Sequence, residues 1–157
     1  LMQEVAKFYY IREKYDSAYY YYNKFVKIKE SNGLNIYPQE DIKIATVYKK
    51  MGFADQAQGF FEAYSRYCDR DISIYQPASL AMKYLYEGKQ DMAIEQLKEF
   101  ATRDNFFYWI PLFIEKDPMM KPLKNHPDYK ATIKKIDDKF WENHRQLERT
   151  LKENDLM

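Results

Sequence analysis

The strongest constraint on this chain is a recurrence centred on Ile44 to Tyr64, IATVYKKMGFADQAQGFFEAY. Ala45 and Tyr48 lie three apart, as neighbours on one helical face do, and Ala57, Phe61 and Tyr64 lie four and three apart on the next. Gly52 stands between them, where a glycine can take positive φ and stop a helix without steric cost. The stretch therefore predicts two short amphipathic helices joined by a tight turn. A lone hairpin of that size buries too little to stand by itself, so its spacing must recur for a core to form.

The spacing recurs twice. In Ala81 to Phe100, the residues Ala81, Tyr84, Gly88, Ala93, Leu97 and Phe100 each lie 36 positions after Ala45, Tyr48, Gly52, Ala57, Phe61 and Tyr64. In Ala6 to Phe25, the residues Ala6, Tyr9, Glu13, Ala18, Tyr22 and Phe25 each lie 39 positions before the same set. Only the turn glycine is replaced, by Glu13. Small, aromatic, glycine and alanine positions in this order resemble the tetratricopeptide repeat (TPR) family, whose unit is a helix-turn-helix of about 34 residues. The resemblance implies an all-α, right-handed superhelical solenoid of three TPR-like hairpins, spanning about 1–33, 38–71 and 75–105, with capping helices after them. The matched alanines and aromatics are packing positions of such an array and carry no chemistry.

Local signals place the elements. The first helix covers residues 1 to 12, and a second runs from Asp16-Ser17 to about Glu30, where Ser31-Asn32-Gly33 stops it. Of Tyr19 to Tyr22, one tyrosine takes the packed position and the others face neighbouring elements or an outer surface. Pro38 suits a first helical turn and opens helices at about 38–51 and 54–69, with Glu40 and Asp41 as favourable first-turn acids. A short apolar linker, Ile72 to Tyr75, precedes helices at about 77–87 and 90–103. Phe106 to Ile114 is intensely apolar and is expected to be buried as an irregular helix capping the third hairpin. Asp117-Pro118 begins a short helix that Pro122 interrupts, and His126-Pro127-Asp128 begins a long helix at about 127–154. Along it, Tyr129, Ile133, Ile136, Phe140, Leu147 and Leu151 form a stripe suited to packing on the array or to pairing with another helix.

The segment WIPLFIEKDPMMKPLKNHPDYKATIKKI resembles one found after helical repeats at the C-terminal end of bacterial signalling and transcription-regulatory proteins. Asp117-Pro118, Leu123, His126-Pro127-Asp128 and Tyr129 carry the likeness, with Lys124 where an arginine is usual. Residues 106–157 are accordingly expected to be a cap and a long C-terminal helix. The chain opens at Leu1-Met2 already inside a helical pattern, and is expected to be the C-terminal piece of a larger protein.

Charge and side-chain chemistry narrow the function. Twenty-five basic and twenty-four acidic residues leave a net charge of +1, which gives no electrostatic case for nucleic acid or an anionic membrane surface. No apolar run approaches the roughly 20 residues that a membrane helix needs. Cys68 is the single cysteine, so no disulfide forms within the chain, and a cytoplasmic location is expected. His126 and His144 have no cysteine beside them to complete a metal-ligand pattern, and Cys68 has no evident histidine partner for nucleophilic catalysis. The four glycines are isolated, so no phosphate loop is present. No catalytic residue, cofactor site or metal site is predicted, and the chain is not expected to be an enzyme.

What remains is a surface. In the TPR family the concave groove is lined by the first helix of each unit. The resemblance carries this role to Gln3, Lys7 and Tyr10, to Ile42, Thr46, Lys49 and Lys50, and to Ser79, Met82, Leu85 and Tyr86. Lysines beside tyrosines pair with carboxylates or lie against a peptide. Gln3 and Thr46 stand where the family's carboxylate clamp wants a basic residue or asparagine, so a mixed apolar and acidic protein or peptide segment is the expected partner. The expected function is a non-catalytic protein-interaction module of a bacterial regulator. The alternative is an oligomerisation or intramolecular regulatory element, in which Ile133, Ile136, Phe140, Leu147 and Leu151 make a homodimer or meet another domain.

Overall fold

The computed structural model describes residues 1–156, which are all-helical, with no strand among them. The chain divides into two compact units, Leu1–Asp71 and Ile72–Met157. The first holds α1 (Met2–Ile11), α2 (Tyr15–Ser31), a 3-10 turn (Pro38–Glu40), α3 (Asp41–Lys50) and α4 (Ala54–Arg70). The second holds α5 (Gln76–Tyr86), α6 (Gln90–Phe100), α7 (Trp109–Phe113), 3-10 segments at Ile114–Lys116 and Pro118–Asn125, and α8 (Tyr129–Glu153). Helices α1 and α2, α3 and α4, and α5 and α6 pack as three hairpins.

The hairpin turns repeat at the level of single hydrogen bonds. The amides of Lys14, Phe53 and Lys89 donate to the carbonyls of Tyr9, Tyr48 and Tyr84 at 3.0, 2.9 and 2.8 Å. The amides of Glu13, Gly52 and Gly88 donate to Tyr10, Lys49 and Leu85 at 2.8, 3.2 and 3.0 Å. This bond pair is the Schellman closure, which needs a left-handed residue just past the helix. Gly52 and Gly88 supply it at φ +87° and +76°. Glu13 takes the same conformation at φ +56°, so the first hairpin keeps its turn without its glycine.

The six matched alanines, Ala6, Ala18, Ala45, Ala57, Ala81 and Ala93, are all buried. With a methyl group as the only side chain, each lets the paired helices approach closely, while Tyr22, Tyr64, Leu97 and Phe100 fill the core beside them. The tyrosine run serves several neighbours. Tyr22 is fully buried, Tyr21 stacks on Tyr9 at 5.7 Å, and Tyr19 stacks on Phe53 at 4.9 Å, joining the two hairpins of the first unit. Only Tyr20 of the four is exposed.

In the second unit, Asp117 caps the segment after it by accepting from the Met119 amide at 3.0 Å. The segment is a 3-10 helix rather than an α-helix. Pro122 has no N–H to give the carbonyl four residues back, which disfavours α-helical bonding there. Helix α8 starts at Tyr129, two residues later than its sequence signals indicate. Its buried residues, Tyr129, Thr132 and Ile136, are all in the first eight positions. Phe106 sits between Phe100 at 5.0 Å and Phe140 at 6.1 Å, tying α8 to α6. Asn143 closes the joint, donating to Asp104 at 2.9 Å and accepting from the Asn105 amide at 3.1 Å.

One expectation fails in this unit. Phe106 to Ile114 is not a buried plug: Phe106 and Ile110 are inside, but Phe107, Tyr108, Trp109, Leu112 and Phe113 are exposed. A helical turn has one inward face, so a run of consecutive apolar residues cannot all point into the core.

Candidate functional site

The predicted groove residues fall into two groups. Tyr10 is fully buried against Tyr15, with ring centroids 6.5 Å apart. It is a core residue and cannot line a binding surface, because its position on α1 faces α2. Gln3, Ile42, Ser79 and Leu85 are buried as well. Lys49 and Lys50 are exposed, and Thr46, Met82 and Tyr86 are half-buried. The Thr46 hydroxyl donates back to the Ile42 carbonyl at 2.8 Å, and Lys50 lies 5.8 Å from the Tyr15 ring. Burial raises the pKa of Tyr86.

Lys7 has a structural task. Its Nζ lies 3.1 Å from Glu4 and 3.3 Å from Glu40. Glu40 is only 3% exposed, yet it stands at the mouth of α3 beside both earlier helices. The Tyr22 hydroxyl donates to its other oxygen at 3.0 Å, and Lys43 lies 3.9 Å away. Burial pushes the Glu40 pKa up, but Lys43, Lys7 and the Tyr22 hydrogen bond outweigh it and hold the group below its ordinary value. Burial likewise pulls Lys7 down, and Glu40 and Glu4 more than offset this, leaving it raised. The adjacent Asp41 pairs with Lys29 at 3.0 Å. There burial prevails over Lys29, Glu40 adds repulsion, and the pKa is raised. Both acids do stand in first turns, as the sequence indicates, but they are buried there. They are a buried polar seam between hairpins one and two.

The C-terminal stripe is also divided. Tyr129 and Ile136 are buried, and Phe140 is half-buried against Phe106. Burial and the Glu115 carboxylate, 3.2 Å away, push Tyr129 up to about 12. Ile133 and Ile136 join Pro111 and Ile114 in lining an open cleft of about 310 Å³, with charged residues at its rim. Ile136, being buried inside the unit, cannot belong to a self-association face. Leu147 remains exposed and Leu151 half-buried, while Trp141, also exposed, stacks on His144 at 5.6 Å.

His126 is a loop residue held on both nitrogens: Nε2 lies 3.1 Å from Asp91 and Nδ1 accepts from the Asp128 amide. Cys68 is buried. Among the described residues, no three His, Cys, Asp or Glu side chains are grouped to hold a metal ion, and no helix is long and apolar enough to cross a membrane.

The feature that sequence reasoning missed is an aromatic ledge in the second unit. Tyr75, placed by sequence in a linker, stacks on Phe107 and Trp109 at 6.2 and 5.7 Å, within 18° of parallel. Its hydroxyl accepts from the Phe107 amide at 3.0 Å, fixing the arrangement. The ten residues Asn105 to Ile114 contain no charge. That run, with more consecutive apolar residues than one helical face can bury, was the available signal. No protein-family model, curated protein or solved structure matches the chain.

Proposed function

We propose that this chain is a TPR-like solenoid that binds a protein or peptide partner and performs no catalysis, as the C-terminal part of a bacterial cytoplasmic regulator. The observation that carries the reading is the threefold recurrence of one hairpin, with the same turn hydrogen bonds and the same buried alanines. A short unit of that kind is stable only when stacked, and stacking leaves the first helix of each unit with a face for recognition. In the first unit the face assigned to it is that of α3, with Thr46, Lys49 and Lys50; Met82 and Tyr86 are the corresponding candidates on α5 in the second unit, taken separately. Exposed lysines beside the half-buried Thr46 suit a ligand that presents carboxylates among apolar side chains.

Selection from a displayed peptide library tests this. The expected result is enrichment of segments rich in Asp or Glu and in Leu or Phe, with affinity reduced at least tenfold by Lys49→Glu/Lys50→Glu. Peptides that bind the double variant equally well would overturn the assignment.

A further inference from the structure

The exposed ledge of the second unit calls for a cover. Phe107 is 61% exposed, Tyr108 64%, Trp109 44%, Leu112 54% and Phe113 47%. At about 200 Å² for a large apolar side chain, these five leave roughly 500 Å² facing water. That is within the range of about 300–600 Å² for the largest patch on a monomer, where such patches are often functional. We infer that the ledge is a self-association surface, on which a second copy of this chain docks ledge to ledge about a twofold axis.

Three observations favour a second copy. Two such ledges facing each other would remove roughly 1,000 Å² before any polar rim is counted, which meets the minimum of about 1,000 Å² for a biological interface. An isologous contact sets every group against the same patch, so a like charge near the axis meets itself. The run Asn105–Ile114 is itself uncharged, and Lys116, whose Nζ lies 5.1 Å from the Phe113 ring, puts a cation at its end, away from Phe107 and Tyr108 in sequence. The ledge is also held in shape before docking. Phe107 and Trp109 stack on each other at 6.4 Å and both stack on Tyr75, while Phe106 and Ile110 anchor the segment from beneath. Phe107 and Trp109 then have little side-chain freedom left to lose on association. The α8 stripe is the weaker candidate, because its first half is already used inside the unit and its exposed part is reduced to Trp141, Leu147 and their neighbours. The ledge shares no residue with the lysine-bearing helix faces assigned to partner binding, so either reading can fail alone.

Light scattering and sedimentation velocity on the full chain, from low micromolar to submillimolar concentration, provide the test. The expected mass approaches twice the 19.1 kDa of one chain. Tyr108→Glu/Leu112→Glu should return it to 19.1 kDa with an unchanged far-UV circular dichroism spectrum. Should that variant lose its helical spectrum, Tyr108→Ser serves in its place, with the dimer dissociation constant rising at least tenfold. Trp141→Glu/Leu147→Glu should leave the mass doubled. A wild-type chain that stays monomeric throughout overturns the inference, as does a dimer broken by the α8 variant and untouched by the ledge variant. A monomer that co-sediments with phosphatidylcholine vesicles would assign the ledge to a lipid surface instead.

Discussion

Removing the buried Glu40 carboxylate should loosen the first unit in graded steps. Glu40→Gln keeps the shape and leaves an oxygen for the Tyr22 hydroxyl, now 3.0 Å from the carboxylate. It deletes the charge facing Lys7 at 3.3 Å and Lys43 at 3.9 Å. Lys7 retains Glu4 at 3.1 Å and is 29% exposed, so water and one acid still serve it. The expected loss is therefore that of a charge-assisted hydrogen bond, about 1.5–3 kcal/mol, and not that of a stranded buried cation. Glu40→Ala also takes this acceptor from a fully buried tyrosine and opens a void, which brings the loss to about 3–5 kcal/mol. Lys7→Met should cost less than either, because Lys43 still faces Glu40. Urea unfolding followed by far-UV circular dichroism gives the order. Both tryptophans, Trp109 and Trp141, lie in the second unit, so tryptophan fluorescence reports that unit separately. A Glu40→Gln protein as stable as the wild type, or more so, would refute the reasoning. It would mean that desolvation of the ion pair cancels its attraction.

Other outcomes follow from the same geometry. Glu13→Gly should stabilise the chain by about 0.5–1 kcal/mol: relief of left-handed strain, about 1–2 kcal/mol, exceeds the entropy cost of a glycine. Thermal melts check this, and a lower midpoint would contradict it. Phe106→Ala should cost about 3–5 kcal/mol and speed hydrogen exchange in Tyr129–Phe140 more than in α5, since Phe106 joins Phe100 to Phe140. The two seam acids oppose each other in pH. The lowered pKa of Glu40 gives stability above its unfolded value that is lost as pH falls through the folded one. The raised pKa of Asp41 gives stability at low pH that is lost as pH rises through its folded value. Asp41→Asn removes the second limb, so stability should climb more steeply with pH through the carboxylate range. A slope equal to that of the wild type would show that Asp41 does not titrate as the structure indicates.

What the sequence determined is local and periodic. Ala45, Tyr48, Ala57 and Tyr64, with their counterparts, mark helix faces by spacing alone, and Gly52 and Gly88 mark where backbone must turn left-handed. Both follow from the 3.6-residue helical period and from glycine's missing Cβ, so they are legible before any tertiary contact exists. Even Glu13 could be placed by alignment, although its positive φ could not, because the turn is imposed by the packed helices on either side. What tertiary structure decided is what covers each face. Glu40 after Pro38 reads from sequence as a first-turn acid, and only Lys7 and Tyr22, arriving from α1 and α2, make it part of a buried seam. The stripe on α8 reads as one continuous face, yet only its first turns meet the unit's core, because packing ends where the opposing elements end. Likewise, the apolar run Phe106 to Ile114 shows hydrophobicity without direction. The backbone path, fixed by Phe106, Ile110 and the Tyr75 hydroxyl, turned Trp109, Leu112 and Phe113 outward, since one short helix has a single side to bury.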